Sequence, residues 1–285
     1  MQGVLLAAGR GERLRPVTEH VPKPLIPFWG KPFIDYLLDN LQGFVDEAII
    51  VIDADDKIKR HLGNAHGDIA LRYVHQDRPM GTGDALLQTR DMLSDPFLVL
   101  LADTCPACET LTQILHAPAD AVLTVIQVPD AENHTGVLMR DGFIVEELWA
   151  DSSFVDAGTF RFSSAIYEML DGLAPMRNEL RVLQGVQELM RSGAEVRAVQ
   201  MQGPWLQFGD HEGVSGVLRV MRELRPPQAA SSDSSIEVRT HDCQIENSLV
   251  FGSGELINCA IKDSLVYCAG RIEGRSAEGE IAAWT

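Results

Sequence analysis

Cationic side chains are scarce in this chain: 24 Lys and Arg stand against 41 Asp and Glu over 285 residues, a formal net charge of −17. A surface that negative repels polyanions, which argues against nucleic acid or anionic membrane as the main partner. Long apolar runs are also missing. The longest, residues 97–102, falls far short of the roughly 20 residues a membrane helix needs. The N-terminus has no signal-peptide pattern, since a strand-like run begins at once, and a cytoplasmic protein is expected. Cysteine is sparse and odd in number, five residues, which suits a reducing compartment better than a disulfide framework. Cys105 and Cys108 form a C-x-x-C, but no second such pair completes a zinc set and only His116 lies near. Small side chains around a turn are the expected reading, with a metal or redox role as the alternative.

The cations that are present are concentrated. Residues 1–31 hold Arg10, Arg13, Arg15, Lys23 and Lys31 against Glu12 and Glu19, a local +3, so the rest of the chain carries −20. This island follows an apolar strand, Val4-Leu5-Leu6-Ala7-Ala8, and a glycine loop opening with Gly9-Arg10-Gly11. Glycines let backbone N–H groups approach phosphate oxygens, and cations neutralise the charge. A polyphosphate site is expected there; a glycine turn with solvated arginines is the plainer alternative.

A 45% hydrophobic composition over this length supports one large domain, or one with a small appendage. Candidate strands at residues 4–8, 48–53, 69–75 and 97–102 alternate with helical patterns at 33–43, 55–63, 83–93 and 108–116. That order predicts a mostly parallel sheet covered on both faces, with ligands at the carboxyl ends of its strands. Strand patterns at 121–128, 136–140, 143–149 and 155–162 follow, then helices near 163–172 and 178–192, a strand at 196–201 and a helix at 211–224. Residues 226–235, rich in Pro, Ala and Ser, read as a linker between a 1–225 domain and a 236–285 segment. In that segment, apolar beats near every sixth residue suggest a short hexapeptide-type parallel β-helix, with a plain antiparallel cluster as the alternative.

The loop is not a P-loop, lacking Gly-Lys-Ser/Thr, and Leu14 stands where a dinucleotide fingerprint needs its third glycine. What Leu6-Ala7-Ala8-Gly9-Arg10-Gly11-Glu12-Arg13-Leu14-Arg15-Pro16 resembles, with Pro22-Lys23-Pro24-Leu25-Ile26-Pro27 and Gly30-Lys31-Pro32, is the signature of the sugar-1-phosphate nucleotidyltransferases. The resemblance covers about residues 1–225 and extends to the appended β-helix. It implies an α/β fold: a Rossmann-like, mostly parallel mixed sheet with helices on both faces, plus a short left-handed β-helix-like segment.

It also implies a reaction, NTP plus sugar 1-phosphate giving NDP-sugar and pyrophosphate with Mg²⁺. Arg13 would contact the β- and γ-phosphates and Lys23 the α-phosphate, stabilising charge on both sides of an in-line displacement. Ala7, Ala8, Gly9 and Gly11 would cradle the triphosphate. In Met80-Gly81-Thr82-Gly83-Asp84, Gly81, Thr82 and Gly83 would hold the base, with Thr82 or Asp84 capping the next helix, and Gln76 would read a pyrimidine edge, favouring dTTP or UTP. Asp103, at the end of a buried strand, would hold Mg²⁺, which prefers hard oxygens. Glu147, Asp156 and Gly158 would line the sugar side.

Two departures stand out. The family's Glu-Lys-Pro has no Lys here, the stretch being Glu146-Glu147-Leu148-Trp149-Ala150-Asp151. The family's second metal-binding Asp is Gln207 in Trp205-Leu206-Gln207-Phe208-Gly209-Asp210, so Gln207 or Asp210 assists the metal or the site is weakened. A non-catalytic nucleotide-binding relative, and a transferase for a non-sugar phosphate such as phosphocholine, are the alternatives. Exposed end strands of the β-helix would permit a homo-oligomer.

Overall fold

Aliphatic runs with no polar alternation, such as Val4-Leu5-Leu6, form strands buried on both faces, the pattern of a sheet covered on each side. The computed structural model describes residues 1–28, 30–132, 134–140, 144–203, 205–224 and 238–285. These fall into two units, Met1–Gly9 with Leu37–Trp205, and Arg10–Tyr36 with Leu206–Thr285. Packing thus groups the cationic loop with the C-terminal segment, a division the linear reading does not contain. The expected linker lies outside the described residues.

The first unit holds a ten-stranded sheet. Its strands are β1 (Gln2–Leu6), β2 (Glu47–Ile52), β3 (Ala65–His66), β4 (Ile69–His75), β5 (Phe97–Leu101), β6 (Ala121–Gln127), β7 (Val137–Arg140), β8 (Ile144–Leu148), β9 (Phe154–Phe162) and β10 (Val196–Gln200). The order is β7-β8-β10-β6-β9-β5-β1-β2-β4-β3. β5, β1, β2 and β4 form the expected parallel block. β9 then runs antiparallel between β5 and β6, making the sheet mixed.

Helices α1 (Phe33–Leu41), α2 (Lys57–Leu62), α3 (Thr82–Leu87), α4 (Cys108–His116), α5 (Ala165–Leu170), α6 (Val182–Arg191) and α7 (His211–Leu224) match the periodic patterns. Two depart most from the expected ranges. α3 ends before the buried Thr89, whose hydroxyl donates to Leu86 O at 2.8 Å; a separate turn, Arg90–Met92, follows. The 178–192 pattern begins as a tight turn, with Arg177 and Asn178 at positive φ, before α6 starts. No helix among the described residues is long and apolar enough to cross a membrane.

In the second unit the C-terminal segment winds into stacked coils. β11 (Arg239–His241), β13 (Leu249–Ile257), β15 (Leu265–Glu273) and β17 (Ile281–Trp284) form one sheet, and β12 (Gln244–Glu246), β14 (Ala260–Lys262) and β16 (Ser276–Glu278) another. Every pairing is parallel, which excludes the antiparallel cluster. The register advances 16 residues per coil, as in the Ser264 N–H donating to Ser248 Oγ, so several of the expected beats fall within each coil. Asp242, Asn258 and Gly274 make one left-handed corner in successive coils, and Asn247, Asp263 and Gly279 another. These residue types tolerate that conformation best.

Candidate functional site

In the first unit, Leu6 and Leu101 are register partners, so the chains leaving β1 and β5 emerge side by side. Ala7 and Ala8 are buried, Ala7 N–H donating to Val51 O at 2.9 Å, and a Cβ on Gly9 would meet nothing. Asp103, half-buried, follows β5, with Ala102 N–H donating to Leu6 O at 3.2 Å.

Asp156 and Gly158 lie on β9 where its register to β6 slips, a bulge that re-aims side chains. Gly158 has φ +82°, and a Cβ there would stand 3.0 Å from Thr104 Oγ1. Burial pushes the Asp156 carboxyl up to about 7; the Gly158 N–H, donating to Asp156 Oδ1 at 3.1 Å, opposes this, and the Asp103 charge adds to it. The structure thus brings Asp103, Asp156 and Gly158 together.

Gln76 is buried and donates to Gly81 O at 3.0 Å and to Asp84 Oδ2 at 2.7 Å, clamping the turn before α3. The glycines of that turn are explained by a segment the sequence reading missed. A Cβ on Gly81 (φ +106°) would fall 2.4 Å from Leu180 O, and one on Gly83 3.0 Å from Arg181 O. Thr82 caps a different helix from the one expected: its hydroxyl accepts the Val182 N–H at 3.0 Å, at the start of α6. The only sequence signal was the break before α6. Glu147 is exposed on β8, opposite Leu138 of β7, and Trp149 just beyond takes positive φ.

In the second unit, Gly11 at φ +61° admits Thr18 and Lys23 so closely that a Cβ would stand 2.9 Å from Thr18 Cγ2. Arg13 Nη1 pairs with Asp210 Oδ2 at 3.2 Å, and Lys23 Nζ lies 5.3 Å from the centre of the Phe208 ring. Asp210 Oδ1 accepts the Gly213 N–H at 3.0 Å, so both its oxygens are engaged. Gln207 ends the short strand Leu206–Gln207.

Among the described residues no three His, Cys, Asp or Glu side chains gather to hold a metal. The donors at Asp103 and Asp156 are hard oxygens, and the buried Thr104 hydroxyl beside Gly158 lacks a hydrogen-bond partner among the described residues. That set fits Mg²⁺, which is commonly bound by one or two carboxylates together with substrate phosphates. None of the five cysteines is joined in a disulfide; Cys105 is buried with Asn40 Nδ2 donating to its sulfur at 3.3 Å, which supports the expected reading of the C-x-x-C as small side chains around a turn.

A family model described as nucleotidyl transferase matches residues 2–220. The chain is 28% identical over 283 residues to a glucose-1-phosphate thymidylyltransferase of Streptomyces griseus, covering 95% of this chain and 78% of the relative. It is 29% identical to the UTP–glucose-1-phosphate uridylyltransferase AglF of Haloferax volcanii, covering 73% and 91%. To the bifunctional protein GlmU of Methanococcus maripaludis it is 28% identical over 73% of this chain but 51% of the relative, so it spans about half of that protein's length. A UDP-glucose pyrophosphorylase complexed with UDP-glucose shares the fold at a TM-score of 0.67 and 19% identity, over 79% of this chain and 99% of the other. The inositol-1-phosphate CTP transferase of T. maritima does so at 0.68 and 19%, over 80% and 98%.

Proposed function

Because this chain belongs to the nucleotidyl transferase family, we propose that it transfers a nucleotidyl group from dTTP or UTP to a sugar 1-phosphate, releasing pyrophosphate. The observation that carries this reading is the pairing of β1 with β5, which sets the start of the glycine loop beside Asp103 at the carboxyl ends of the strands. The names of the thymidylyl- and uridylyltransferase relatives support the choice of base.

In this reading an acceptor phosphate oxygen bonds to the α-phosphorus as the bond to the β-phosphate oxygen breaks, and pyrophosphate leaves with that electron pair. Lys23 stabilises the α-phosphoryl charge and Arg13 the departing β- and γ-phosphates. Asp103 would hold Mg²⁺, with Asp156 beside it; when bound, the ion neutralises phosphate charge. Gln207 or Asp210 would be the second donor, Asp210 already accepting from Arg13 and from the Gly213 N–H. Ala7, Ala8, Gly9 and Gly11 line the triphosphate. Gly81, Thr82 and Gly83, held by Gln76, form the base wall, and Glu147, Asp156 and Gly158 the sugar side. The coils form a β-helix-like appendage suited to self-association, which sedimentation would test.

A panel of NTPs against sugar 1-phosphates, with Mg²⁺ and pyrophosphate detection, tests the proposal. Release only with phosphocholine or another non-sugar phosphate would favour the reading that the missing Glu-Lys-Pro lysine motivates. Nucleotide binding without release from any pair would favour a non-catalytic relative.

A further inference from the structure

Two of the cations of the opening segment, Arg13 and Lys23, rest on one short stretch, residues 208–210, within the second unit. Arg13 Nη1 lies 3.2 Å from Asp210 Oδ2. A Cβ on Gly209 would fall 2.6 Å from Arg13 Nη2, so the guanidinium lies directly over a residue with no side chain. Lys23 Nζ sits over the Phe208 ring.

The stretch is itself held rigidly. Phe208 is fully buried, its ring set edge-on to Phe28 at 5.0 Å and to Phe33 at 4.7 Å. Asp210 Oδ1 accepts the Gly213 N–H, capping α7. Gly213 allows the tight approach, since a Cβ there would stand 2.9 Å from Phe208 Cα.

We propose that Gly209 and Asp210 are positioning residues for Arg13, so that a triphosphate meets a cation already oriented. This rests on the proposed nucleotidyl transfer. The Arg13 and Asp210 side chains are 67% and 44% exposed, and an ion pair so exposed adds little to stability. Its consequence is orientational. A long, rotamer-rich side chain is held in one arrangement before the phosphate arrives, which removes part of the ordering cost from binding. The contact with Asp210 uses one of the five N–H donors of arginine, and phosphate oxygens can take others.

A double-mutant cycle tests this. Asp210→Asn keeps an oxygen for the Gly213 N–H but removes the charge; Gly209→Ala displaces the guanidinium. Each is made alone and with Arg13→Gln. The readouts are pyrophosphate release, the dTTP dissociation constant by calorimetry, the Mg²⁺ dependence and the thermal midpoint. Either substitution is expected to lower kcat/KM and weaken dTTP binding about tenfold with Arg13 present, and to change neither in the Arg13→Gln background. The midpoint and the Mg²⁺ dependence stay unchanged. Equal losses in both backgrounds would overturn the proposal, as would a loss that added Mg²⁺ restores, which would make Asp210 a metal ligand. A wild type that binds dTTP but releases no pyrophosphate with any acceptor would refute the transfer reaction alone, the binding cycle still deciding the positioning role. A wild type that binds no triphosphate would overturn both.

Discussion

Replacing Asp156 by Asn is expected to stabilise the metal-free protein at neutral and alkaline pH and to leave it unchanged at acid pH. The carboxyl sits at about 7 in the fold against an ordinary 3.8, chiefly through burial. Below pH 3.8 folded and unfolded chains are both protonated there, and wild type and variant match. As pH rises from 3.8 to 7 the unfolded chain sheds the proton while the fold retains it, so wild-type stability falls, and above 7 the deficit is constant. The full deficit is about 4 kcal/mol at ~1.4 kcal/mol per tenfold change in proton affinity. Asp156 keeps partial solvent contact, which trims this to about 2 kcal/mol. An Asn Oδ1 can still accept the Gly158 N–H, so the bulge survives. Urea unfolding in EDTA between pH 3 and 8.5 should show the variant's advantage growing from near zero to that value. An advantage independent of pH would refute the reasoning, because ionisation would then not be its source.

Gly81→Ala should cost about 2–3 kcal/mol by denaturant melting, since its φ of +106° and the approach of Leu180 O leave no room for a methyl group. Thr82→Val, which keeps the shape but removes the acceptor for the Val182 N–H, should cost about 1 kcal/mol in the same assay. At the coil corner, Asn258→Gly should be near neutral while Asn258→Val costs about 1–2 kcal/mol, because φ is +51° there; equal effects would argue against the left-handed corner. Under the proposed function, Asp103→Asn and Lys23→Met should each lower pyrophosphate release about 100-fold or more while circular dichroism stays unchanged.

The elements themselves were largely legible. β4 and α4 coincide with their predicted ranges, residues 69–75 and 108–116, because each is a run whose periodicity already states which side is buried. The beats near every sixth residue recur within a coil as well as between coils, so the 16-residue coil period becomes plain only when Asp242, Asn258 and Gly274 are seen as one corner. At the site, the glycine loop and the strand ending before Asp103 were visible as motifs. The role of Gly81 and Gly83 was not, since the backbone they accommodate lies about 100 residues further on.

The sequence alone determined where strands and helices form, where the cations collect on an acidic chain, and which motif carries the family resemblance, because these depend on neighbours a few residues apart. Only the tertiary structure decided that β9 enters the sheet antiparallel beside β5, which brings Asp156 under the charge of Asp103. It also decided that Arg13 meets Asp210 across 197 residues of chain. Those pairings follow from strand register and from the packing of aromatic and glycine surfaces against one another, and no local pattern encodes them.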